Sequence, residues 1–293
     1  MGKDLYDFSV PHYSFEIFPP KGKGNLDSIF ATIDGLAILE PDLISVTYGA
    51  GGSSRDNTVE IASTIQNHYH LPGVAHLTCV GSTLEQTDKL LCELKEKGVK
   101  SILALRGDKR PDDENQEGYF KHASELVAYI KSKYDFFVFG ACYPEKHPEA
   151  ATFEEDIRHL KEKVDAGADA LISQLFLDNE DFYRFRDAAQ RAGINVPIIA
   201  GIMPITVPSM LEKVVSMCGA TVPHKVRTFT EAYGHNAEAM VEAGIAYATE
   251  QITDLLAYGV DGIHIYSMNK VRVTRRITEN ISAILYSLRV KRA

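Results

Sequence analysis

Short apolar runs alternate with amphipathic stretches along the whole chain. Runs rich in β-branched and aromatic residues at 13–20, 43–49, 73–80, 101–106, 136–143, 170–177, 197–203 and 262–266 read as strands. Between them, apolar residues return at helical spacing over 25–39, 56–69, 83–97, 119–133, 153–166, 180–192, 209–217, 237–258 and 271–289. In the first of these, Leu26, Ile29, Phe30, Ile33, Leu36 and Ala37 fall on one face, and Pro41 ends the helix. Gly98, Gly167 and Gly193 stand where helices stop, as a left-handed cap requires. Strands that alternate with helices imply a parallel sheet, and eight such units imply an α/β fold closed into a (β/α)8 TIM barrel. The barrel is expected to take in 13–293 as a single catalytic domain, with 1–12 as an N-terminal extension. A doubly wound open sheet is the alternative, but no strand runs into the G-x-G-x-x-G that would support it.

Composition narrows the function classes. The 293 residues are 45% hydrophobic and 24% charged, enough apolar material for a large core. A net charge of −9 argues against a nucleic-acid partner, which calls for a basic patch. Cys79, Cys92, Cys142 and Cys218 show no C-x-x-C spacing and read as reduced thiols of a cytoplasmic protein. The N-terminal residues lack the apolar region of a signal peptide, and no apolar run is long enough to span a membrane.

One strand carries an anomaly. Strands covered on both faces are near-continuous apolar runs, yet Glu16 sits between Phe15 and Ile17. A buried carboxyl is either paired or holds its proton more tightly than usual, ready to deliver it. A structural ion pair is the plain alternative. In a barrel the chemistry lies where strands end. Those ends supply Glu16, Thr47 and Tyr48, His76 and Thr78, Arg106 with Gly107 and Asp108, Tyr143 with Glu145 and His147, Gln174, Tyr266 and Asn269. There is no nucleophile elbow, no H-E-x-x-H, and no lysine within a strand to form a Schiff base. His76 and His147 leave a metal site open, although their neighbours show no ligand spacing, and none is assigned. Hydrogen-bonders (Thr47, Gln174, Asn269), cations (Arg106, Lys163, His147) and aromatic faces (Tyr48, Tyr143) suit a dinucleotide cofactor.

At these residues the chain resembles a known family. F-E-I-F-P-P (15–20), S-V-T-Y-G-A (45–50), A-H-L-T-C (75–79), L-R-G-D (105–108), Y-P-E-K-H-P-E-A (143–150), V-D-A-G-A-D (164–169) and S-Q-L-F-L-D (173–178) are similar, in order, to the methylenetetrahydrofolate reductases of the bacterial, catalytic-domain-only type. The resemblance implies a barrel that holds FAD and reduces 5,10-methylenetetrahydrofolate to 5-methyltetrahydrofolate. NADH or NADPH supplies the hydride in a ping-pong cycle, and the product feeds methyl groups to methionine synthesis. It also implies a cytoplasmic homo-oligomer, dimer or tetramer.

The resemblance implies roles residue by residue. Glu16 matches the proton donor that opens the folate ring, Asp108 the carboxylate beside flavin and pterin, and Gln174 the residue that orients pterin or nicotinamide. Thr47, Tyr48, Ala50, His76, Arg106, Gly107, Asp108, Tyr143, His147, Ala150, Asp156 and Lys163 fall on FAD-binding positions. Glu16, Asp108, Gln174 and Lys270 fall on folate-binding positions, with Lys270 where relatives place an Arg. Pro208 stands where relatives place a stacking aromatic, and His122, His159 and Glu162 depart from cofactor-side residues. Two other readings stay open. One feeds the same reduction from an iron–sulfur (ferredoxin) partner. The other is a catalytically silent barrel acting as a scaffold subunit.

Overall fold

The computed structural model describes residues 5–20, 26–48, 55–107 and 118–290. Its elements are β1 (His12–Ile17), α1 (Asp27–Ala37), β2 (Leu43–Val46), α2 (Arg55–Asn67), β3 (Gly73–Thr78), α3 (Leu84–Glu96), β4 (Ser101–Leu105), α4 (Ala123–Lys133) and β5 (Phe137–Cys142). They continue with α5 (Phe153–Asp165), β6 (Ala170–Ser173), α6 (Asn179–Arg191), β7 (Ile198–Ile202), α7 (Ser209–Cys218), α8 (His224–Tyr233), α9 (Ala237–Tyr258), β8 (Gly262–Tyr266) and α10 (Val271–Val290). The strands pair in chain order into a closed barrel, as the alternation predicts. The pairing is parallel where the register is read, with His76 opposite Leu103 between β3 and β4 and Gly201 opposite His264 between β7 and β8.

The strands are apolar because helices cover them. Phe15 and Ile17 on β1, Ile44 and Val46 on β2, and Ile199 and Ile202 on β7 are fully buried. Helices press close enough that some strand positions accept no Cβ. At Gly73 it would lie 2.3 Å from the Ala62 carbonyl oxygen of α2. Left-handed glycines end α7 (Gly219, φ 67°) and α9 (Gly259, φ 85°), and Gly98, Gly167 and Gly193 also have positive φ.

Two compact units emerge from the contacts. One contains Phe15–Ala141 and Glu162–Leu171; the other contains Asp7–Ser14, Cys142–Lys161 and Ile172–Ala293. In the first, Tyr6 is not a loose extension: its buried ring meets Phe137 edge-on at 4.7 Å, and its hydroxyl lies 2.8 Å from Ser101 Oγ. Asp169, just before β6, accepts from Val138 N at 2.8 Å and from Lys131 Nζ at 2.8 Å, clasping the start of β5. In the second unit Asp261, just before β8, does the same for β7 by accepting from Ile198 N at 2.9 Å.

The structure differs from the sequence expectation at several strand ends and in one helix. β1 begins at His12, inside the expected extension. β6 stops at Ser173 rather than 177, because side chains take over the backbone groups beyond it. Gln174 Oε1 accepts from Leu175 N at 2.9 Å, and Ser173 Oγ donates to Gln174 O at 3.0 Å. Finally, α8 forms where the sequence expectation has no helix, although Pro223 precedes it and Val226, Phe229 and Tyr233 recur on one face.

Candidate functional site

In the first unit, Glu16 is the last polar residue of β1, and the alternation of the strand turns it away from Phe15 and Ile17. It is only 6% exposed, and its Oε2 lies 3.5 Å from Nε2 of His76, itself 6% exposed on β3. Among the described residues, the imidazole of His76 is thus a partner of the anomalous carboxyl. Thr47 follows β2 directly. Its N–H donates to Ile17 O at 3.0 Å and its carbonyl accepts from Thr58 Oγ1 at 3.0 Å, which fixes the chain where Tyr48 emerges.

The end of β4 is fixed as firmly. Arg106 O accepts from Val80 N at 2.9 Å, and Arg106 Nε donates to Gly107 O at 3.3 Å. Gly107 has φ 87°, and a Cβ there would touch Thr78 Cβ at 3.0 Å, so both conformation and space call for glycine. Burial pushes the neighbouring Cys79 thiol up to about 11, which removes it as a nucleophile at neutral pH. Lys163 lies on α5 with its Nζ bonded to Ala141 O at 2.5 Å, and its stem crosses Gly140, where a Cβ would lie 2.8 Å from Lys163 Cδ.

In the second unit, Tyr143 leaves β5 and its ring packs edge-on against His147 at 4.7 Å. The loop then closes on α5. His147 N donates to Asp156 Oδ2 at 3.0 Å, Ala150 N donates to His147 O at 3.0 Å, and Lys146 Nζ donates to Ala150 O. His147 Nδ1 accepts from Glu149 N at 3.1 Å, so a neutral imidazole carries its proton on Nε2. Gln174 is oriented in a similar way. Its atom facing Leu175 N must be the amide oxygen, because the backbone N–H can only donate. That leaves the Gln174 NH₂ as the donor it offers.

Tyr266, together with Gly201, His264 and Ser14, which are not among the predicted strand-end residues, fixes Ser173, the residue before Gln174. Tyr266 OH donates to Ser173 O at 2.7 Å and Gly201 N donates to Ser173 Oγ at 2.9 Å. His264, fully buried on β8, packs edge-on against Tyr266 at 5.5 Å and lies 2.7 Å from Ser14 Oγ through Nδ1. Ser14 in an apolar strand was the sequence signal of this contact, two residues from Glu16 and hence on the same face of β1. Lys270, between β8 and α10, donates to Thr206 Oγ1 at 2.6 Å, and partial burial lowers its pKa.

Of the predicted residues, Asp108 and Ala50 lie outside the described residues. Glu16 and His76 lie within β1 and β3, Asp156 and Lys163 lie on α5, and the others stand at the ends of strands or in the segments that follow. Among the described residues, no three His, Cys, Asp or Glu side chains gather as metal ligands would. No helix among them is long and apolar enough to cross a membrane. A groove of about 510 Å³ between α8 and α9, lined by Phe229, Tyr233 and Tyr247 among others, contains none of the predicted residues.

The sequence pattern of one family, Methylenetetrahydrofolate reductase, matches residues 3–282. A 5,10-methylenetetrahydrofolate reductase of Escherichia coli (strain K12) is 35% identical over 268 residues, which cover 92% of this chain and 90% of the relative. The chain belongs to the methylenetetrahydrofolate reductase family. Methylenetetrahydrofolate reductase (NADH) 1 of Arabidopsis thaliana is 36% identical over 287 residues, but these are 48% of its length, so the chain spans about half of that plant relative. Among solved structures, an uncharacterized protein from Clostridium thermocellum that binds two copies of 5-methyl-5,6,7,8-tetrahydrofolic acid aligns with TM-score 0.64 at 16% identity, over 94% of this chain and 95% of its own. A dihydropteroate synthase from Coxiella burnetii aligns with TM-score 0.52 at 14% identity, over 96% of each chain. At these identities the two structures speak for the barrel alone.

Proposed function

We propose that the chain reduces 5,10-methylenetetrahydrofolate to 5-methyltetrahydrofolate with hydride from NADH or NADPH and FAD as its cofactor. The observation that carries this reading is Glu16, a carboxyl buried at the end of β1 within 3.5 Å of His76, in a chain whose family is named for this reaction. The donor set suits a flavin dinucleotide. His147, with its Nε2 proton, and Arg106 offer charge-assisted donors to phosphate, and Tyr48 and Tyr143 offer aromatic faces. Thr47, Gly107, Ala50, Asp108, Ala150, Asp156 and Lys163 complete the proposed cofactor set. Bound FAD would supply the two-electron carrier that lets nicotinamide and folate react in turn.

The protein's own groups supply the rest. Glu16 gives its proton to the bridging nitrogen of the folate, so that the five-membered ring opens to a cationic iminium. Asp108 stabilises that cation by charge. The Gln174 NH₂ meets an acceptor on the pterin or on the nicotinamide carboxamide. Lys270 meets the folate with a single ammonium, without the bidentate fork of an Arg.

The plant relatives that carry NADH in their names support direct reduction by a nicotinamide over delivery from an iron–sulfur partner. A cytoplasmic homo-oligomer, dimer or tetramer, belongs to the same proposal. Purified protein should carry flavin, lose its flavin absorbance on anaerobic addition of NADH or NADPH, and regain it with methylenetetrahydrofolate. Protein that cannot be loaded with flavin, or that ignores both nicotinamides, would overturn the reading.

A further inference from the structure

We propose that His76 acts as the positioning residue of Glu16, holding its carboxyl and receiving it as a hydrogen-bond acceptor once the proton is gone. This rests on the role given to Glu16 above. Three observations lead to it. Both side chains are 6% exposed, so neither is free to turn into bulk water. His76 is flanked on β3 by Ala75 and Leu77, each 1% exposed, and stands opposite Leu103 of β4. Nε2 stands 3.5 Å from Glu16 Oε2, at the outer limit of hydrogen-bond reach.

The chemistry of the pair follows from the two atoms. With its proton on Nε2 the imidazole donates to Oε2 of Glu16 in either form, to the carbonyl oxygen of the neutral carboxyl and to the carboxylate alike, so no proton has to move on the ring. When Glu16 protonates the folate nitrogen, its O–H bond breaks, an N–H bond forms on the folate, and the electron pair stays on the oxygen. The carboxylate so formed would be costly at this depth without a donor. The imidazole Nε2–H is that donor, and it exchanges no electrons. Solvent later returns the proton to Glu16. Recognition by sequence alone places His76 among the flavin-binding positions, whereas its nitrogen faces a carboxyl.

The test compares His76→Gln and His76→Phe with the wild type by anaerobic stopped-flow. His76→Phe should slow the folate half-reaction about tenfold or more beyond any loss in the nicotinamide half-reaction, with kcat falling more than KM changes. His76→Gln, whose amide can still donate to the carboxyl, should recover part of that loss. A measurement that needs neither flavin nor turnover accompanies it: the melting temperatures of Glu16→Gln, His76→Gln and the double variant. Non-additive shifts support the pairing. Additive shifts, or equal losses in both half-reactions, would overturn it. Loss of flavin in His76→Gln would instead make His76 a cofactor ligand and overturn it as well. A wild type that never oxidises its flavin with the folate overturns the proposed function, and the melting cycle alone then decides whether His76 holds Glu16.

Discussion

Replacing Gly201 by alanine should unfasten the end of β6. A Cβ on Gly201 would lie 2.2 Å from Ser173 O, 2.8 Å from Tyr266 Cε2 and 2.9 Å from Tyr266 OH. Two of these atoms are the two ends of one hydrogen bond, Tyr266 OH to Ser173 O at 2.7 Å, so the methyl cannot enter without breaking it. The strand cannot retreat either, since Gly201 N holds Ser173 Oγ. Forcing a methyl into a packed interior costs about 1–3 kcal/mol, and a lost buried hydrogen bond adds about 1 kcal/mol. The sum of about 2–4 kcal/mol corresponds, at about 2 °C per kcal/mol for a chain of this size, to a fall of about 4–8 °C in Tm. Gly219→Ala is the matched control, because nothing lies within 4 Å of its Cβ and only its φ of 67° resists substitution. That strain costs about 1–2 kcal/mol. Thermal melts of both variants by circular dichroism give the comparison. If Gly201→Ala melts no lower than Gly219→Ala, the steric account of the β6 end is wrong.

Other consequences are as direct. Asp169→Ala removes the acceptor of Val138 N and of Lys131 Nζ and should cost about 2–3 kcal/mol in urea unfolding, while Asp169→Asn should keep part of it; equal losses would refute the clasp. Burial raises the hydroxyls of Tyr6 and Tyr13 well above their ordinary value of 10.0 and that of Tyr247 to about 12. These phenols hold their protons more tightly folded than unfolded, so their contribution is complete below pH 10 and is lost as pH rises through 12. Melts should therefore fall steeply between these values, and less steeply for Tyr247→Phe; a flat profile would contradict it.

The barrel was legible because its strands must be buried on both faces, and a run such as Phe15, Ile17 or Ile199, Ile202 is the direct mark of that burial. Helix ends were legible for a similar reason: at Gly98 and Gly193 the backbone takes a conformation that only glycine enters freely. Strand ends were not. The limit of β6 depends on whether Ser173 and Gln174 side chains capture backbone groups, and no periodicity reports that. Asp169 was read as part of a family motif, but its observed contacts are a clasp at the start of β5. For Glu16 the sequence announced a buried carboxyl and gave no partner, since His76 is brought to it only when β1 and β3 enter the same barrel. Asp108 and Ala50, both named from the resemblance, fall outside the described residues.

The folate half-reaction needs the Glu16 proton if the proposed function is right, and the nicotinamide half-reaction does not. Anaerobic stopped-flow of Glu16→Gln tests it most directly, following flavin absorbance first with NADH or NADPH and then with methylenetetrahydrofolate. Reduction of the flavin should persist while its reoxidation by the folate falls by about 10²-fold or more, the usual worth of a general acid. Reoxidation at the wild-type rate, or the same loss in both half-reactions, would contradict it.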